Sequence, residues 1–157
     1  MSKPMIMAIK QAQMTSALGV GGPFGASIVN SKTGEIICVE SNKVLADNDP
    51  TAHAEITAIR TACKILNTHD LTGYTIYATG YPCPMCMSAI IWANLDKVIY
   101  AGDVKDAEDI GFRDDFIYDF IKDDCADENI LKIKWDTNSR NDVVSLYRKY
   151  KEGGEMY

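Results

Sequence analysis

YTIYATGYPCPMCMSAIIWANLDKVIYAG, residues 74–102, reads as a strand, a helix and a strand. YTIYATG (74–80) and KVIYAG (97–102) are rich in β-branched and aromatic residues. Between them Pro84 suits the first turn of a helix, where its missing N–H goes unused and its φ is already helical. Working outward, residues 53–66 return to helical spacing, with Ile59, Ala62, Cys63 and Leu66 at i, i+3, i+4 and i+7. FGASIVN and EIICVES, separated by SKTG, predict a β-hairpin. Residues 4–17, with Ile6, Ile9 and Met14 among Ala and Gln, predict a helix ahead of the turn-forming loop GVGGPFG (19–25). Beyond residue 102 the pattern predicts a helical insert. A strand is then expected at ILKIKW (130–135), where Leu131, Ile133 and Trp135 alternate with Lys132 and Lys134, and a last helix over 141–151. Strands separated by helices predict an α/β fold, a mixed or parallel sheet with helices on both faces.

The 157 residues fit one domain, and no linker, repeat or composition break divides them. Hydrophobic residues make up 46% and charged residues 24%, ordinary for a globular domain. The net charge of −6 gives nonspecific phosphate attraction nothing to work with, so a small uncharged substrate fits better than a nucleic acid. No apolar run approaches the roughly 18 residues of a membrane span. The start, MSKPMIMAIKQAQM, lacks the features of a signal peptide, so a cytoplasmic home is expected. Five cysteines (38, 63, 83, 86 and 125) are an odd number, which argues for metal binding or burial rather than a disulfide framework.

Two clusters carry chemistry. In TAHAEITAIR (51–60), His53 and Glu55 stand two positions apart at the start of a predicted helix; in PCPMC (82–86), Cys83 and Cys86 are spaced to share one side of a first helical turn. A helix N-terminus favours the thiolates a metal needs. Two thiolates and one imidazole satisfy three corners of a zinc tetrahedron and leave the fourth open, the arrangement of a catalytic site. Water at that corner has its pKa lowered toward ~7 in favourable sites. A purely structural zinc needs a fourth protein ligand; Cys63, about 15 Å along the helix from His53, is too far to supply it, and Cys38, Cys125 and His69 stay open but have no supporting pattern and read as core or surface residues. Glu55 is the telling addition, because splitting water requires a group to hold the proton and hand it on. Taken singly, His-x-Glu and Cys-x-x-Cys are common and weak; together they predict one site.

H-x-E followed by P-C-x-x-C is the signature of zinc-dependent nucleobase deaminases. GGPFGA (21–26), the SN dipeptide at 41–42, NDPTAHAEITAIR (48–60), PCPMC, IWA (91–93) and GFRDDFIYDFI (111–121) together resemble the bacterial guanine deaminases of the cytidine deaminase superfamily. The resemblance runs from about residue 19 to Tyr157. It implies a three-layer α/β/α cytidine-deaminase-like fold in a single deaminase domain, with His53, Cys83 and Cys86 as ligands of Zn2+ and Glu55 as proton shuttle. It also implies that Asn42 contacts the base, that Phe24 packs on its ring, and that Asp114 hydrogen-bonds guanine and assists proton transfer. The C-terminal segment, about 140–157, would cross to the partner subunit of a homodimer, where Tyr157 closes the other active site. Without the resemblance Phe24 is equally a core phenylalanine, Asn42 a turn residue and Asp114 one member of an acidic run.

The implied reaction is hydrolysis of guanine to xanthine and ammonia. Rival substrates are cytosine, a related aminopurine, an aminotriazine or adenosine in tRNA; a rival of another class is a non-catalytic zinc-stabilised module that binds a purine. The chain departs from the family pattern at two places. Tyr81 stands where a Glu usually precedes the Pro-Cys pair, and the C-terminus reads GGEMY rather than Lys-Glu-Tyr.

Overall fold

The computed structural model describes residues 2–155. Helix α1 (Lys3–Ala17) carries Pro4 in its first turn and buries Met5, Ala8, Ala12 and Thr15 along one stripe. Strands β1 (Gly25–Asn30) and β2 (Ile36–Ser41) form the expected antiparallel hairpin. Its turn is closed by Asn30 Oδ1, which accepts from the backbone N–H groups of Lys32 and Thr33 at 3.0 Å. A short helix, α2 (Val44–Asp47), was not signalled by apolar spacing; it precedes α3 (Ala54–Leu66). The strand–helix–strand reading is realised in β3 (Tyr74–Gly80), α4 (Pro84–Trp92) and β4 (Lys97–Gly102). The helical insert comprises α5 (Val104–Asp109) and α6 (Asp115–Lys122), and α7 (Arg140–Gly153) is the last helix.

The sheet runs in the order β2-β1-β3-β4. β1 is antiparallel to both β2 and β3, and β3 is parallel to β4, so the sheet is mixed, as expected. Alternation along β1, β2 and β3 sends side chains to two covered faces, while β4 leaves its side chains half-buried or exposed. On one face α1 packs so closely that a side chain at Gly25 would run into the Ala8 carbonyl. Ser27 Oγ donates to the Pro4 carbonyl at 3.2 Å, and the Thr15 and Ser41 hydroxyls bond at 2.6 Å. On the other face Ala26, Ile28, Cys38 and Ile76 form one core with Ala54, Ala58 and Ala62 of α3 and Ile90 of α4. The small residues of α3 let its backbone lie close to the sheet.

The chain forms two compact units, Met1–Asp114 with the sheet and Asp115–Tyr157 with α6 and α7. The strand expected at 130–135 does not form. Leu131, Ile133 and Trp135 are 56%, 64% and 71% exposed, and no strand among the described residues pairs with them. Alternation stabilises a strand only where a neighbour completes its hydrogen-bond ladder, and the described residues of the second unit hold only helices as regular elements. No helix among the described residues is long and apolar enough to cross a membrane.

Candidate active site

Two helix starts make the site. His53 is the N-cap of α3, with φ −64° and ψ 158°; Cys83 is the N-cap of α4, with φ −62° and ψ 168°. Proline at 84 disfavours helical backbone at Cys83 and so holds it in this extended conformation. Neither side chain caps its own helix. Both turn instead to a common point, where His53 Nδ1 lies 3.6 Å from Cys83 Sγ and 3.6 Å from Cys86 Sγ. The approach to α3 is braced from outside. Asp49 Oδ1 accepts from the Thr51 N–H at 2.8 Å and hydroxyl at 2.7 Å, Arg60 reaches Asp49 at 3.2 Å, and the His53 N–H donates to the Thr51 carbonyl at 2.8 Å.

The three donor atoms fit zinc. They lie within 4.8 Å of one another and form the one such group of His, Cys, Asp and Glu among the described residues. Zinc–sulfur and zinc–nitrogen bonds of about 2.3 and 2.0–2.1 Å at tetrahedral angles require a nitrogen–sulfur edge of roughly 3.6 Å, the spacing seen between His53 and each thiol. Cys63 and Cys38 are not in the group; Cys38 is buried and Cys63 half-buried.

The electrostatics follow from proximity. The Cys86 thiol hydrogen-bonds to Cys83, which together with the His53 imidazole holds Cys83 well below the usual thiol value; the same hydrogen bond, with burial and the Glu55 charge, pushes Cys86 up. His53 is raised by its hydrogen bond to Cys83 and by the negative charges of Cys83, Glu55 and Asp114. Glu55 is the one carboxyl side chain buried among the described residues, 8% exposed. Burial raises its pKa, and it hydrogen-bonds to Cys86. In the first turn of α3, then, the Glu55 carboxyl lies close enough to His53 and Cys86 to act on both.

The remaining candidates surround this corner unevenly. Asn42 is buried, and its Oδ1 accepts from the N–H groups of Gly22 at 3.2 Å and Val44 at 3.1 Å. The carboxamide oxygen therefore anchors the Gly21–Phe24 loop, where Gly21 has no room for a Cβ against Asn42. Phe24 is half-buried and meets Phe112 edge to face, with centroids 5.0 Å apart and planes at 88°. Phe112 was missed as an individual residue, although the GF dipeptide stood in a quoted motif. Asp114 is half-buried and close enough for its charge to act on His53. Tyr157 lies outside the described residues. A surface cavity of about 450 Å³ near Asp119, Asp123 and Asp127 includes none of these residues.

Comparison with known proteins agrees with this geometry. Residues 1–102 match the family described as the cytidine and deoxycytidylate deaminase zinc-binding region. The chain is 50% identical over 113 residues to the guanine deaminase of Bacillus subtilis, a match covering 72% of this chain and 70% of that one. It is 48% identical over 79 residues to a tRNA-specific adenosine deaminase of Aquifex aeolicus, covering about half of each chain, 50% and 51%. The crystal structure of guanine deaminase from Bacillus subtilis superposes with a TM-score of 0.87 at 38% identity, covering 100% of this chain and 99% of that one.

Proposed function

The chain belongs to the zinc-binding cytidine and deoxycytidylate deaminase family, and from that premise we propose that it hydrolyses guanine to xanthine and ammonia. The observation that carries the reading is the His53–Cys83–Cys86 group with the buried Glu55 carboxyl beside it. In structure the guanine deaminase similarity extends over the whole chain with a TM-score of 0.87, whereas the tRNA:A34 deaminase structure covers 64% of this chain with a TM-score of 0.61. The acidic charge also weighs against a polyanionic substrate.

His53, Cys83 and Cys86 would hold the zinc ion, which when bound supplies a Lewis acid that lowers the pKa of water at its open corner. Glu55 takes a proton from the attacking water as its oxygen bonds to C2 of the base, and delivers that proton to ring N3. The tetrahedral C2 then collapses. Glu55 takes the proton of the new C2 hydroxyl and, with help from Asp114, passes it to the 2-amino group, so that C2 becomes a carbonyl, the C2–amine bond breaks and ammonia leaves. A carboxyl raised by burial is suited to this traffic, because it neither holds nor releases the proton too firmly. Phe24 offers a ring against the planar base, and Asn42 contacts its edge.

The working form in this reading is a cytoplasmic homodimer of one deaminase domain per chain, with residues 140–157 exchanged so that Tyr157 closes the partner's site. Supporting it are apolar side chains that one chain leaves in solvent, including Ile91 and Trp92 of α4 and Trp135, together with free cysteines suited to a reducing compartment. The test is ammonia release from a panel of guanine, cytosine, other aminopurines, aminotriazines and tRNA adenosine, with metal content measured on the same sample. Guanine turnover above the rest is the expected result. Nucleobase binding without ammonia release would instead identify a non-catalytic zinc-stabilised module.

A further inference from the structure

We infer that Tyr81 and Tyr100 act as a positioning pair that holds the metal-ligand turn of α4 to the edge of the sheet, slowing loss of the metal. The inference rests on the reading of His53, Cys83 and Cys86 as zinc ligands. Tyr81 is the first residue beyond β3, and its N–H donates to the Gly102 carbonyl at 2.8 Å, one step past the Gly80↔Gly102 pairing. Its ring meets that of Tyr100 on β4 edge to face, with centroids 5.0 Å apart and planes at 90°. This geometry sets the positive rim of one ring against the negative face of the other, an attraction beyond area burial.

Position in the chain turns that contact into a constraint on the metal site. After Tyr81 come only Pro82, which is fully buried, and Cys83, the first thiol. So short a link has no slack, because successive Cα atoms stand about 3.8 Å apart. A shift of Tyr81 away from β4 must therefore move Cys83 relative to His53. The strand it is pinned to is the one that needs pinning. β4 is the last strand of the sheet, paired on one side only, and it lies in a region where outer side chains stay in solvent. The neighbours of Tyr100 on its own face, Ala78 across the ladder and Gly102 two residues on, are small and leave its ring room to lean toward Tyr81. Both rings remain partly exposed, 39% and 48%, so the pair is a specific contact rather than a piece of core filling. A carboxylate at position 81, as the family pattern has it, offers Tyr100 no ring.

The experiment follows zinc transfer from the full-length, zinc-loaded protein to excess 4-(2-pyridylazo)resorcinol. Tyr81→Ala and Tyr100→Ala each release zinc about three- to tenfold faster than the parent. Tyr81→Phe, which keeps the ring and drops the hydroxyl, releases at the parental rate, and the double alanine variant is no faster than either single one. Tyr81→Leu and Tyr100→Leu carry the same expectation should an alanine variant fail to fold, as judged by far-ultraviolet circular dichroism. Rates within twofold of the parent for the ring-deleted variants, or effects that multiply in the double variant, overturn the inference. A parent that binds no zinc overturns the metal reading and takes this inference with it, an outcome distinct from a zinc-loaded parent with indifferent variants.

Discussion

Glu55 joins two properties that rarely coincide, a carboxyl group and near-complete burial, and it does so beside three side chains that could hold a metal ion. Its removal is the sharpest residue-scale test. Glu55→Gln preserves shape and is expected to keep stoichiometric zinc while ammonia release from guanine falls about 10²–10⁴-fold, the usual contribution of general acid–base catalysis. Zinc analysis alongside steady-state turnover checks both halves; retained turnover would remove Glu55 from the mechanism. Cys38 makes the contrasting case of a buried titratable group with a structural part. Its thiol donates to the Ala58 carbonyl at 3.4 Å, and burial pushes it up to about 11. Between the ordinary thiol value of 9.0 and about 11 the unfolded chain gives up this proton first, so the folded state loses stability as pH rises. That loss is on the order of 1 kcal/mol per pH unit. Urea midpoints from pH 8 to 11 should fall less steeply in Cys38→Ala than in the parent.

At the scale of elements, the two helix starts do the organising. An N-cap residue has extended backbone and its side chain swings back over the first turn. At α3 and α4 that geometry is spent on gathering His53, Cys83 and Cys86 rather than on capping, and the Asp49–Thr51–Arg60 brace and Pro84 hold the two turns from outside. Asp49 is held below the ordinary carboxylate value chiefly by its bonds to Thr51, so this brace is complete above that value and weakens as pH falls through the lowered one. The opposite face of the sheet depends on close approach instead. At Gly25 the α1 backbone lies where a Cβ would go, so Gly25→Ala must push α1 off the sheet. A cost of about 1–3 kcal/mol is expected, as for other overpacked sites. It would be read as a lower urea midpoint with zinc content unchanged; an unaltered midpoint would mean that α1 yields freely.

For the whole molecule, the proposed exchange of residues 140–157 makes a prediction that no single chain can fulfil alone. If Tyr157 closes the partner's site, Tyr157→Ala and Glu55→Gln homodimers are each weak, yet a mixed dimer contains one intact site. Co-refolding equal amounts should restore about a quarter of parental activity, since half the dimers are mixed and each has one working site of two. Failure to recover activity, with dimers present by light scattering, would confine each site to its own chain.

Local chemistry was legible from residues alone. Strands 74–80 and 97–102, the helix between them, and the placing of His53, Glu55, Cys83 and Cys86 at helix starts all follow from spacing, proline and side-chain type, which act within a few residues. What needed tertiary structure was every relation between distant segments. ILKIKW has a strand's alternation but no ladder partner; Asn42 has the right groups for a base edge, yet its oxygen is taken by two loop N–H groups; Phe112 and Tyr100 acquire roles only from the rings they meet. The physical reason is the range of the forces. Propensity and capping are settled by neighbours in the chain, whereas sheet order and cross-loop contacts depend on which surfaces win the competition for burial once the whole chain has folded.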